Sequence, residues 1–106
     1  MKTKYNTPWH VRQYVKKELM DYNHNKKLLE QYKGDTRGLI LANTRLAQIE
    51  SVLNRLNRED REAAELIFIQ KYSQSKAEVT KGISKAAYYY VMNKVIYLTA
   101  VEMDLI

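Results

Sequence analysis

The stretch Gly82–Leu98, GISKAAYYYVMNKVIYL, decides how this chain is read. It opens with a glycine, a large apolar residue and a serine, and no further glycine or proline follows. Gly82 suits a turn with positive φ. Ile83 can plug the space between two helices, and Ser84 is a good N-cap, worth on the order of 1 kcal/mol. The helix that follows has Tyr88, Tyr89 and Tyr90 in a row. At about 100° per residue these fan over roughly 200°, wider than one core-facing stripe. Tyr88 shares helical spacing with Val91, Val95 and Leu98, so these four are expected to face the core. Lys85, Ala86, Tyr89, Tyr90, Asn93 and Lys94 are then expected mainly on the other side.

Just upstream, YSQS leads into a short helical piece, KAEVTK. A short helix, a glycine turn, a polar N-cap and a long helix make a helix-turn-helix pattern. The outward residue types are those that read DNA: lysine meets phosphate or guanine, asparagine can pair bidentately with adenine, and tyrosine reaches phosphate or apolar base edges. Ala86 is small enough to allow close approach. Lys85, Tyr89, Tyr90 and Asn93 are the base-facing candidates, and Lys76, Lys81 and Lys94 the phosphate candidates. The plainer alternative is a small helical bundle with one or two exposed tyrosines. Two positions depart from the usual pattern. Glu78 stands four residues before the turn glycine, where alanine is common, and Lys81 directly precedes it, where a large apolar residue is common. Ala77 and Val79 are expected to supply the packing instead.

Working toward the N-terminus, NRED signals a third helix, with Asn57 as N-cap and Asp60 three residues on. Glu59, Asp60 and Glu62 occupy its first turn, where the helix dipole favours negative charge, and capping accounts for them better than catalysis. Ala63, Leu66, Ile67 and Tyr72 mark its apolar face. A second helix, from Asp35 or Thr36 to Leu56, has a heptad seam of Leu39, Ala42, Leu46, Ile49, Leu53 and Leu56. That seam could close within one chain or between two. A first helix starts at TPWH, with Thr7 as N-cap and Pro8 in the first turn, and ends at Gly34. Val15, Leu19, Tyr22 and Leu29 form its stripe, and Tyr5 and Trp9 are expected to anchor the hairpin end. The fold class expected is all-α: residues 1–56 as a basic antiparallel helical hairpin and 57–106 as a helix-turn-helix region, about five helices in a single domain of 106 residues.

The chain has 18 Lys and Arg against 12 Asp and Glu, a net charge of +6. Most of the excess lies before residue 34, while Gln74–Thr99 has four lysines against Glu78 alone. That balance is compatible with nucleic acid. There is no cysteine, so disulfides and thiolate metal sites are excluded. His10 and His24 lie far apart without a carboxylate cluster, a poor metal site. No Gly-rich phosphate loop or nucleophile–base set stands out, so neither an enzyme nor a cofactor is expected. No apolar run has the roughly 18 residues of a membrane span. A soluble, cytoplasmic protein is the expectation.

The order of elements resembles the phage-encoded late transcription regulators of the RinA and ArpU type, with a DNA-binding region similar to region 4 of sigma factors. The matching residues are VKKELMDYNHNKKLLE with Leu19 and Tyr22 as anchors, LNREDREAAELIFIQKY, and GISKAAYYYVMNKVIYLTAVEMDL. The resemblance implies sequence-specific binding to double-stranded promoter DNA, control of phage late genes in the bacterial host cell, and RNA polymerase as a candidate partner. The competing expectation is a protein-interaction or homodimerisation module that binds no DNA.

Overall fold

A computed structural model describes residues 5–31 and 37–106. The expected stop at Gly34 and the start at Asp35 or Thr36 lie outside the described residues. Six α-helices follow in order: α1 Trp9–Met20, α2 Tyr22–Gln31, α3 Arg37–Arg55, α4 Arg58–Ala64, α5 Gln74–Lys81 and α6 Lys85–Glu102. Glu65–Ile69 continues α4 as a wider, π-helical turn. No strand occurs among the described residues.

The first helix differs from expectation at its start and by a break within it. Pro8, not Thr7, is the N-cap: its carbonyl accepts from the Arg12 N–H at 2.8 Å, and no side chain caps the helix. The Thr7 hydroxyl is buried without a partner. The single helix expected up to Gly34 is interrupted at Asp21, whose φ of −87° and ψ of 4° leave the helical region. The Asp21 N–H still donates to Lys17 O and the Asn25 N–H to Asp21 O, both at 2.9 Å. The register therefore survives the kink, and Val15, Leu19 and Tyr22 stay on one buried stripe. This break accounts for six helices where about five are expected.

α3 packs against α2 and α6 of the same chain. Ile49 and Leu53 are buried, and Leu46 and Leu56 pack on the core, so this part of the seam is used within one chain. Val52, off the seam, is buried as well, whereas Ile40 and Leu41 are exposed. The buried Tyr22 hydroxyl donates to Glu50 Oε1 at 2.9 Å and ties α2 to α3. Burial and the Glu50 carboxylate both favour the neutral phenol, pushing it up from 10.0 to about 12. The folded value exceeds the unfolded one, so this stabilisation is complete below pH 10 and disappears as pH rises toward 12. Denaturant unfolding across that window should show a loss of roughly 2–3 kcal/mol from this group, and Tyr22→Phe should make the decline shallower.

α4 starts as expected: Asn57 Oδ1 accepts from the Asp60 N–H at 2.8 Å. At its end Leu66, Ile67 and Phe68 are all buried. The Gln70 N–H reaches back five residues to Glu65 O at 2.9 Å, the widened turn that accommodates this run. Lys71, with φ 58°, then turns the chain out of the helix.

α6 packs against α1, α3, α4 and α5. Tyr88, Val91 and Val95 are buried as expected. Leu98 is only half-buried. Met92, Ile96, Thr99 and Ala100 are also buried, because helices surround the second half of α6 on several sides.

Candidate nucleic-acid interface

α5 and α6 are each started by a serine. Ser73 Oγ accepts from the Lys76 N–H at 3.2 Å, and Ser84 Oγ from the Ala87 N–H at 3.1 Å. Between them Gly82 adopts φ 68° and ψ 21°. A Cβ there would meet nothing within 4 Å, so the backbone conformation, not lack of space, calls for glycine. The Gly82 N–H donates to Glu78 O at 3.0 Å and the Ile83 N–H to Ala77 O at 3.3 Å, closing α5. Ile83 is half-buried against the core, in the plugging position expected of it. Ala77 is fully buried, but Val79 is 88% exposed and supplies no packing, contrary to expectation. The rotation of α5 thus puts Ala77, rather than position 78, inward. Glu78 stays outside and accepts from Gln74 Nε2 at 2.7 Å.

The tyrosine run divides as its spacing implies. Tyr88 is 5% exposed, and its hydroxyl donates to the Tyr72 carbonyl at 2.7 Å, fastening α6 to the segment before α5. Burial, reinforced by the neighbouring Tyr89, pushes this phenol up. Tyr89 and Tyr90 are 42% and 51% exposed. Tyr89 meets the Tyr88 ring edge-on at 5.3 Å between centroids.

Six of the eight candidate residues are exposed: Lys76, Lys81, Lys85, Ala86, Tyr89 and Tyr90. Lys76 lies over the Tyr72 ring, 4.2 Å from its centroid, which orients the ammonium group. The other two are engaged within the chain. Asn93 is half-buried and its Oδ1 accepts from Arg12 Nη1 at 2.6 Å. Lys94 pairs with Asp60 at 2.7 Å, both side chains less than a fifth exposed. The Asp60 carboxylate, through this bond, pushes the Lys94 ammonium up, and the neighbouring phenols of Tyr90 and Tyr5 add to the rise. The expectation that both residues lie on the open side of α6 is therefore corrected. α1 and α4 reach Asn93 and Lys94 through Arg12 and Asp60, whereas in the first two turns of α6 Lys85, Ala86, Tyr89 and Tyr90 are exposed.

A groove of about 650 Å³ separates α4 from the start of α6. Glu59, Glu62 and Glu65 line one wall, and Lys81, Ser84, Ala87 and Val91 face it from the turn and α6. Tyr89, two residues beyond Ala87, points about 160° away around the helix. The acidic wall and the exposed tyrosine thus belong to different sides of α6.

Two residues beside α6 escape the sequence patterns. Arg12 reaches it from α1, also placing Nη2 3.7 Å from Met92 Sδ. Tyr5 does not anchor the hairpin end; its ring packs on Tyr90 and Tyr97 at 5.9 and 5.6 Å. Trp9, also expected as an anchor, is 74% exposed. No local motif could reveal contacts spanning more than eighty residues. Among the described residues no three His, Asp or Glu side chains come together as a metal site. Among them, too, no helix is long and apolar enough to cross a membrane. Comparison with known protein families, curated proteins and solved structures finds no match to this chain.

Proposed function

We propose that the chain is a sequence-specific regulator of transcription that binds double-stranded DNA, with α5 and α6 as a helix-turn-helix and the N-terminal helices as its supporting hairpin. One observation carries the proposal. In the first two turns of α6 Lys85, Ala86, Tyr89 and Tyr90 are exposed, and Tyr89 points away from the groove that the acidic wall of α4 forms with the turn and Ala87. A reading helix enters the major groove with its N-terminal residues toward the bases, and the preceding helix lies across the backbone. Lys76 and Lys81 on α5 are the matching phosphate contacts. Asn93 and Lys94 support this surface from its edge, Lys94 by holding its ammonium 5.8 Å from the Tyr90 ring centroid. The likeness in element order to RinA- and ArpU-type regulators extends the proposal to promoters of phage late genes, with RNA polymerase as partner.

Selection of bound duplexes from random DNA tests this. An enriched sequence is expected, with an affinity that falls steeply as salt rises. No enrichment over nonspecific binding would overturn it. A second reading, a protein-interaction module without DNA, is favoured by the exposure of Trp9, Ile40 and Leu41 at 74%, 57% and 54%. Association through those side chains should respond little to salt.

A further inference from the structure

We infer that Trp9 packs against the sugar–phosphate backbone of the bound duplex, which makes the start of α1 a second DNA contact beside α6; the inference rests on the DNA-binding reading above. Trp9 is the only tryptophan of the chain and is 74% exposed. Residues on both sides of it in the chain are tied to α6. Tyr5 packs its ring on Tyr90 and Tyr97 at 5.9 and 5.6 Å. Arg12 donates from Nη1 to Asn93 Oδ1 at 2.6 Å. Trp9 lies about 60° around α1 from Arg12, on the side away from the buried Val15. Tyr14 is turned the other way, toward α3, where the Arg45 guanidinium lies 5.6 Å from its ring centroid. Trp9 therefore belongs to the flank of α1 that borders α6.

The charge of this flank suits a polyanion. Arg12 and Lys16 lie within about 60° of Trp9, whereas Glu18, the one acid in α1, is on the opposite side of the helix. The dimensions suit a duplex as well. From Lys85 to Asn93 the axis of α6 rises about 12 Å, the width of a major groove. With the first two turns of α6 in the groove, α1 at Asn93 meets its edge, where sugars and phosphates lie. The indole offers an apolar face to a deoxyribose and one donor, Nε1–H, to a phosphate oxygen. Such a contact fixes the position of the protein on the duplex without reading bases.

As the single tryptophan, Trp9 reports its own surroundings by fluorescence in the full-length wild type. Binding is followed separately, by the anisotropy of a labelled duplex of selected sequence and of a scrambled one. When the selected duplex binds, acrylamide quenching of Trp9 should fall. Trp9→Ala should weaken binding of both duplexes alike, by roughly 2- to 13-fold, the worth of one net hydrogen bond. Selection with this variant should return the wild-type sequence, and its melting temperature should stay near that of the wild type, because the ring it removes is already in solvent. Unchanged quenching while the duplex binds by anisotropy would overturn the inference and leave DNA binding standing. So would unchanged affinity in Trp9→Ala, or a different enriched sequence, which would make the contact one to a base. Protection of Trp9 that grows with protein concentration in the absence of DNA would also overturn it, by assigning the ring to a second copy of the chain. A wild type that binds no duplex would overturn both readings, and that case is recognised by anisotropy before quenching is compared.

Discussion

Replacing Tyr88 with alanine should lower stability by about 3–5 kcal/mol, the usual cost of truncating a buried aromatic. The ring is only 5% exposed, and its loss also leaves the Tyr72 carbonyl without the hydroxyl that donates to it at 2.7 Å. Tyr88→Phe isolates the second effect and should cost about 1 kcal/mol. Tyr89→Ala should cost about 1 kcal/mol or less, the worth of its edge-on contact with Tyr88. It should nevertheless weaken DNA binding. Denaturant unfolding of the three variants checks this directly. Equal losses for Tyr88→Ala and Tyr89→Ala would contradict the rotation of α6 on which the proposed interface depends.

The second large effect concerns charge. Lys81 and Lys85 flank the Gly82–Ser84 turn and are both exposed. With Lys81 on a phosphate and Lys85 toward a base edge, the double change Lys81→Ala with Lys85→Ala should cost roughly 1.5 kcal/mol of binding apiece. The slope of log K against log salt should become shallower by about 1, from Lys81 alone. Folding should be almost unaffected, since neither ammonium has a bond to another described residue that would be broken. Lys94→Ala should behave differently. It leaves the Asp60 carboxylate without its cation where the side chain is only 16% exposed, so it should reduce stability and change the salt slope little.

Most helix-forming stretches and two of their caps, Asn57 and Ser84, were legible from local rules, whereas Thr7 gave way to Pro8. Asn57 and Ser84 each accept a backbone N–H three residues on, and Gly82 has the positive φ that its place between two helices demands. The division of the tyrosines was legible too, because Tyr88 shares a 3–4 spacing with Val91 and Val95. What escaped depends on the third dimension. Leu98 and Asn93 have similar claims to their faces by spacing alone, yet neighbouring helices decide their burial. The spacing rule assumes a helix with one buried side, whereas α6 past Met92 is enclosed from several directions. Asn93 and Lys94 were misplaced for that reason, their partners being Arg12 and Asp60 on distant helices. The kink at Asp21 and the π-helical turn at Glu65 also leave no clear sequence signal, since neither involves a glycine or proline.

The most direct test places a photoreactive phenylalanine derivative at position 89 and irradiates the protein bound to its selected duplex. Position 89 should crosslink to a base within the recognised sequence, with position 40, on the exposed start of α3, as the control that does not. A crosslink from position 40 and none from position 89, in a protein that still binds the duplex, would contradict the placement of α6 in the major groove.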